Sequence, residues 1–213
     1  MILQNPDKMR EHREYNRLKE KSIGKRKNKA VLIDRDGTIN VDKGYVYKVD
    51  DLEFEENSIE GLKQLMNSGY KLIIITSQSG IGRRFYTEQD YHKFMDAMYE
   101  KLRLQGINMD GEYFCPHHSK KGFGKYKIDC ECRKPKTGML DQAAKDFGID
   151  LSQSWVIGDK TDDIEMGRRA GCKTVLVRTG KAGKDGHFDV RSGYTANNLL
   201  DAAGYVIANT FKT

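Results

Sequence analysis

The 213-residue chain predicts an α/β fold, a parallel sheet with helices on both faces, and two observations carry that prediction. Short apolar runs of strand length lack the polar alternation of a half-exposed sheet, as strands covered on both sides do. Between them lie longer segments whose apolar residues recur at helical spacing, and strand followed by helix, repeated along a chain, is the pattern of parallel strands joined by crossover helices.

The first strand is expected over 30–34, where Ala30-Val31-Leu32-Ile33 runs into Asp34, and further strands over 70–76, 111–115, 154–158 and 173–178. A helix from Ser58 to Asn67 sets Leu62, Leu65 and Met66 on one face. A longer one from Glu88 to Leu104 has Thr87 placed to cap it and Phe94, Met95, Met98 and Leu102 as its buried stripe. Helices over 139–147 and 162–170 are closed by Gly148 and Gly171, glycine being the residue that most readily turns left-handed at a helix end.

A chain of this length supports one full core. With three prolines and no secretory h-region or membrane-length apolar run, it reads as one compact, soluble, cytoplasmic body. The formal net charge of +6 is local: residues 1–30 hold ten Lys or Arg against four Asp or Glu, and the rest balances at 27 of each sign. Two regions follow, a basic N-terminal extension over 1–29 and a folded domain over 30–213. The extension has too few apolar residues to bury a helix face, so a solvated, partly helical or disordered segment is expected.

Asp34-Arg35-Asp36-Gly37-Thr38 places two carboxylates two residues apart where the first strand ends. Strand side chains alternate faces, so both reach one cleft only if the chain bends after Asp34, which Gly37 permits. Read alone, the motif is an Asp-Gly turn. Downstream, Thr76-Ser77 ends the second strand, Cys132-Arg133-Lys134-Pro135 puts a lysine at a loop, and Gly158-Asp159 ends the 154–158 run with Asp162 and Asp163 close behind. Ligands of open α/β sheets bind beyond the carboxyl ends of strands, where Asp34, Thr76 and Asp159 can meet.

Acid pair, hydroxyl, lysine and further acid, in that order, resemble the haloacid dehalogenase superfamily of phosphotransferases. The resemblance implies a Rossmann-like fold in which Asp34 attacks phosphorus and Asp36 moves protons to the leaving oxygen and from water. It implies Mg²⁺ held by Asp34, the backbone carbonyl of Asp36 and Asp159, hard oxygen ligands that suit this ion. Asp162 or Asp163 either holds outer water or serves as an acid of a helix's first turn. Thr76 donates to the phosphoryl group, Ser77, Ser79 and Gly80 let backbone N–H groups approach it, and Lys134 neutralises developing charge.

Cys115-Pro116-His117, then twelve residues, then Cys130-Glu131-Cys132 form a second constellation. Three thiolates and an imidazole suit a tetrahedral structural Zn²⁺, whereas thiols one residue apart bridge each other poorly. The fourth ligand is His117 or the adjacent His118 on spacing alone. Zinc here would fold the 115–132 loop and position Arg133 and Lys134, which follow at once.

Asp-Arg-Asp-Gly-Thr-Ile-Asn, Gln-Ser-Gly-Ile-Gly, Cys-Pro-His-His, Cys-Glu-Cys-Arg-Lys-Pro and Gly-Asp-Lys together resemble the D-glycero-D-manno-heptose-1,7-bisphosphate 7-phosphatase family over roughly 30–180. That likeness implies His117 as the zinc ligand, a small zinc-binding insertion and no large cap domain. It also implies a substrate-facing loop of Asp42, Lys43, Gly44 and Tyr45, phosphate contacts from Thr76, Ser77, Gln78 and Ser79, and sugar-bisphosphate contacts from Arg133 and Lys160. The partner is then a small phosphorylated sugar met by a monomer, with no membrane insertion and no nucleic acid, in the supply of surface-polysaccharide heptose. Ser77 departs from the family's usual asparagine, and the stretch from Lys181 is weakly matched. Two alternatives stand beside this reading: a histidinol-phosphate phosphatase with the same acid pair and zinc ligands, and a zinc-knuckle nucleic-acid binder prompted by the cysteines and the basic leader.

Overall fold

The computed structural model describes residues 27–210. Six parallel strands form one sheet in the order β3-β2-β1-β4-β5-β6. They are β1 (Ala30–Ile33), β2 (Lys71–Ser77), β3 (Gly111–Cys115), β4 (Trp155–Gly158), β5 (Lys173–Val177) and β6 (Tyr194–Ala196). The helices are α1 (Ser58–Asn67), a single turn α2 (Ser79–Gly82), α3 (Glu88–Leu104), α4 (Gly138–Phe147), α5 (Thr161–Arg169) and α6 (Leu199–Ala208). The five expected strands and four expected helices form within a residue or two of their predicted ends. β6, α2 and α6 are additions to that expectation.

Burial on both faces explains why the strands read as unbroken apolar runs. All four residues of β1 are buried, and they divide with period two between two cores. Val31 and Ile33 join Leu62 of α1, Phe94 and Met98 of α3 and Leu199 and Val206 of α6. Ala30 and Leu32 join Met139, Leu140 and Phe147 of α4 and Met166 of α5. Thr87 caps α3 as expected: its hydroxyl accepts from Asp90 N at 3.1 Å while its own N–H donates to the Asp90 carboxylate at 2.9 Å. Gly148 ends α4 in the left-handed conformation at φ 60°.

The basic extension falls outside the described residues for 1–26. Its last residues already belong to the domain, since Asn28 N donates to Gly148 O at 2.9 Å and Lys71 N to Lys29 O at 3.1 Å. No helix among the described residues is long and apolar enough to cross a membrane.

The sheet order sets β1 between β2 and β4, so the chain leaves the carboxyl end of β1 flanked by the ends of both neighbours. Asp34, Thr76 and Asp159 therefore arrive on one edge of the sheet although 125 positions separate the first from the last.

Candidate active site

After β1 the chain turns tightly: Ile39 N and Asn40 N both donate to Arg35 O, and Gly37, at φ +87°, donates to Asn40 O. Glycine is required here on two counts. The left-handed φ strains any side chain, and a Cβ at this position would lie 2.5 Å from Asp159 Oδ2.

Asp34 is 5 % exposed and accepts from Lys134 Nζ at 2.6 Å, and the same ammonium donates to Asp163 at 2.6 Å. Asp159 is fully buried, with Lys181 N donating to its Oδ2 at 2.7 Å. Three buried carboxylates thus cluster, with ligand atoms within 4.8 Å of one another. Burial pushes the Asp34 carboxyl up, but Lys134 and Lys160 outweigh it and hold it below the usual carboxylate range. Burial, with Asp34 adding to it, pushes Asp159 up to about 8, and burial pushes Asp163 up to about 6. Burial works against the Lys134 ammonium, yet Asp163 and Asp34 raise it, so it stays charged.

The cluster fits a cation. Asp159 Oδ1 is buried with no hydrogen-bond partner, a costly state for an oxygen that could be a ligand. The Lys160 ammonium stands 3.6 Å from that atom, 3.9 Å from Asp34 Oδ2 and 3.5 Å from the Asp36 carbonyl, the three oxygens assigned to Mg²⁺ from sequence. A lysine drawn toward this triad marks where positive charge is wanted.

Asp36 accepts from Arg35, Asn40 and Gln78, and Gln78 also donates to Thr76 Oγ1 at 2.8 Å. Asp36, Thr76 and Gln78 therefore form one connected group, while Asp34 is held separately by Lys134. Ser77 ends β2 and Ser79 begins α2.

The 42–47 loop is mixed. Asp42 lies 3.6 Å from Lys160 Nζ and so reaches the acid cluster. Lys43 turns to Glu53 at 2.9 Å, and Gly44 caps the Asp42 carboxylate from the exposed side. Tyr45, at φ 53°, packs edge-on against Phe85 and accepts from Arg83 through its hydroxyl. Of the uncertain pair of acids, Asp163 is buried against Lys134, whereas Asp162 faces His187 at 3.0 Å on the rim.

The second constellation also assembles. Cys115, His117, Cys130 and Cys132 are all buried, with Sγ···Sγ distances of 3.5 and 3.3 Å and His117 Nδ1 3.2 Å from Cys132 Sγ. These separations suit a tetrahedron whose Zn–S bonds of about 2.3 Å set its corners roughly 3.8 Å apart. The hydrogen bond between Cys115 and Cys130 draws Cys130 down toward the thiolate and pushes the Cys115 thiol up, so the pair shares a proton. His118 points elsewhere: its Nδ1 accepts from Lys120 N and Lys121 N. Arg133 donates to His117 O at 3.2 Å, which ties the thiol cluster to the segment that carries Lys134.

Sequence reasoning missed Arg35, wholly buried beneath Asp36, and Tyr86, which donates to Gln78. It also missed the 179–185 segment, where Thr179 Oγ1 donates to Gly37 O and Asp185 accepts from Thr161 N. Arg35 stood in the motif as a spacer, and nothing in its spacing signalled burial.

A family model described as HAD-hyrolase-like matches residues 131–202. The chain is 45% identical over 180 residues to the D-glycero-beta-D-manno-heptose-1,7-bisphosphate 7-phosphatase of Haemophilus ducreyi, covering 84% of this chain and 98% of that protein. It is 48% identical to the Haemophilus influenzae protein of the same name, covering 82% and 94%. Among solved structures it resembles the D,D-heptose 1,7-bisphosphate phosphatase of B. bronchiseptica complexed with magnesium and phosphate. That match has a TM-score of 0.76 at 27% identity, over 85% of this chain and 99% of that one.

Proposed function

Because the chain belongs to the D-glycero-beta-D-manno-heptose-1,7-bisphosphate 7-phosphatase family of haloacid-dehalogenase-like hydrolases, we propose that it hydrolyses the 7-phosphate of that sugar through Asp34. It is a phosphoric monoester hydrolase, and the histidinol-phosphate and zinc-knuckle alternatives are not favoured. The name shared by the relatives specifies the beta anomer, which we adopt for the substrate. The cytoplasm is its proposed location, and a product destined for surface polysaccharide is its proposed use.

What supports the reading is the pairing of Asp34 with a buried lysine, 2.6 Å away, at the end of β1 and beside a second acid. Asp34 attacks phosphorus as the bond to the sugar's oxygen breaks, and Asp36 gives that oxygen a proton. The second half reverses the roles: Asp36 takes a proton from water, whose oxygen attacks the aspartyl-phosphate and frees Asp34 and inorganic phosphate. Lys134 and the Thr76 hydroxyl stabilise charge on the phosphoryl oxygens. Asp34, the Asp36 carbonyl and Asp159 would hold Mg²⁺, which, when bound, neutralises the phosphoryl group's charge. Arg133 contacts the far end of the bisphosphate, suited by its planar fork.

Phosphate release from a panel tests this directly. The heptose bisphosphate is expected to exceed histidinol phosphate by on the order of 10²-fold in kcat/KM, since a site built for one set of polar groups leaves them unpaired with another. Turnover is expected to stop in EDTA and return with Mg²⁺. Preference for histidinol phosphate would reject the substrate assignment.

We assign Cys115, His117, Cys130 and Cys132 to a structural Zn²⁺. The purified chain is expected to carry about one zinc by elemental analysis, and Cys130→Ser to lose it together with thermal stability, because metal binding and folding of such loops are one process. A metal-free protein with unchanged melting behaviour would rule the zinc out.

A further inference from the structure

Arg35 is the largest fully buried side chain among the described residues, at 0 % exposure, and the reaction outlined above does not use it. Its guanidinium grips Asp36 from below, with Nε 3.0 Å from Oδ1 and Nη2 2.7 and 2.8 Å from Oδ1 and Oδ2. Nη2 also donates to Val46 O at 2.7 Å, in the loop that carries Asp42 and Tyr45. The guanidinium carbon lies 4.6 Å from the Phe94 ring and 5.7 Å from the Tyr91 ring, and Nη1 is 3.8 Å from Met95 Sδ. Asp36 keeps 15 % exposure on its open side.

An ion pair sunk into a core is weak ground for stability, since an apolar side chain of similar volume is often as good or better. What a rigid fork does supply is orientation: two parallel donors fix a carboxylate's plane, which a lysine's point charge does not. Burial alone would favour losing the Arg35 proton, but Asp36 beside it holds the guanidinium charged.

We propose that Arg35 is a positioning residue for proton transfer, its buried fork locking the Asp36 carboxylate in one plane and tying it to the 42–47 loop. The inference rests on the reading of Asp36 as the group that moves protons.

Leaving-group dependence tests it in the full-length protein. An alkyl phosphate such as the heptose bisphosphate needs its departing oxygen protonated, while p-nitrophenyl phosphate departs as a stable anion and does not. Arg35→Met, whose side chain suits a pocket lined by Phe94, Tyr91 and Met95, is expected to lower kcat/KM on the alkyl substrate by about 10²-fold, the usual worth of a positioned acid. On the aryl substrate the loss in kcat/KM is expected to stay within about threefold, because that ratio reports steps only through departure of the phenolate and excludes the later hydrolysis in which Asp36 takes a proton from water. Arg35→Lys, charged but without the fork, is expected to show the same selectivity. Phe94→Leu, which removes the ring beneath the guanidinium and no group at the cleft, reports in smaller measure even if the Arg35 variants do not fold.

Equal losses on both substrates would mark Arg35 as merely structural, and no loss would remove it from the reaction; either overturns the proposal. Asp36→Asn, run alongside, separates the two readings. Selective loss there but not in the Arg35 and Phe94 variants defeats the positioning role alone, whereas its absence in Asp36→Asn defeats the acid assignment and this inference with it.

Discussion

Asp34→Asn is expected to lower phosphate release from the sugar bisphosphate by at least about 10⁴-fold, the scale on which loss of a nucleophile is felt. The amide is nearly isosteric, and its oxygen can still accept from Lys134, so packing around the end of β1 is retained. Electrostatics does not favour the variant. Asp34 repels Asp159, but Lys134 and Lys160 hold its carboxyl below the usual range, so its charge is net stabilising in the fold. A modest fall in melting temperature is expected, partly offset by the relieved repulsion. Acid-quenched parent protein should carry covalent phosphate on a peptide containing Asp34, and the variant none. Undiminished turnover in a variant of verified mass would refute covalent catalysis at this residue.

Lys134→Met is expected to damage both rate and stability. The ammonium is the shared partner of Asp34 and Asp163, both buried. Removing one member of such a cluster leaves charges uncompensated in a buried site, a loss of about 3–5 kcal/mol. For a domain of this size the melting temperature should fall by roughly 10 °C, at about 2–4 °C per kcal/mol. Activity should fall by a further 10²–10³ or so, the usual cost of one preorganised charge at the reacting group. Calorimetry with and without Mg²⁺ checks the cause. If uncompensated carboxylates are responsible, the divalent ion restores part of the lost stability, and an equal deficit in both conditions would point to packing instead.

Much of this was legible from residues alone, for physical reasons. Strands covered on both faces leave continuous apolar runs, so β1, β2 and β4 announce themselves, and the parallel topology then brings their carboxyl ends together. The thiol cluster is legible because metal ligands are restricted in kind and spacing. What escaped notice lacks such a signature. β6 has three residues after a stretch rich in glycine and charge, and α6, Leu-Leu-Asp-Ala-Ala-Gly-Tyr-Val-Ile-Ala, is apolar nearly all round, so no helical stripe stands out. Asp163 was ambiguous because an acid early in a helix has a sufficient local explanation, and only the fold reveals that Lys134 lies against it.

The approach of Gly37 and Gly180 to Asp159 limits how this protein can change. A Cβ at Gly180 would lie 2.3 Å from Asp159 Oδ2, and the backbone there is left-handed at φ 55°. Each glycine is thus excluded from substitution twice over, once by its own torsion and once by the carboxylate it faces. A compensating change in a neighbour could relieve the crowding but not the torsion. Mutational drift at the mouth of this cleft is therefore closed at both positions, which stay bare backbone against the Asp159 carboxylate.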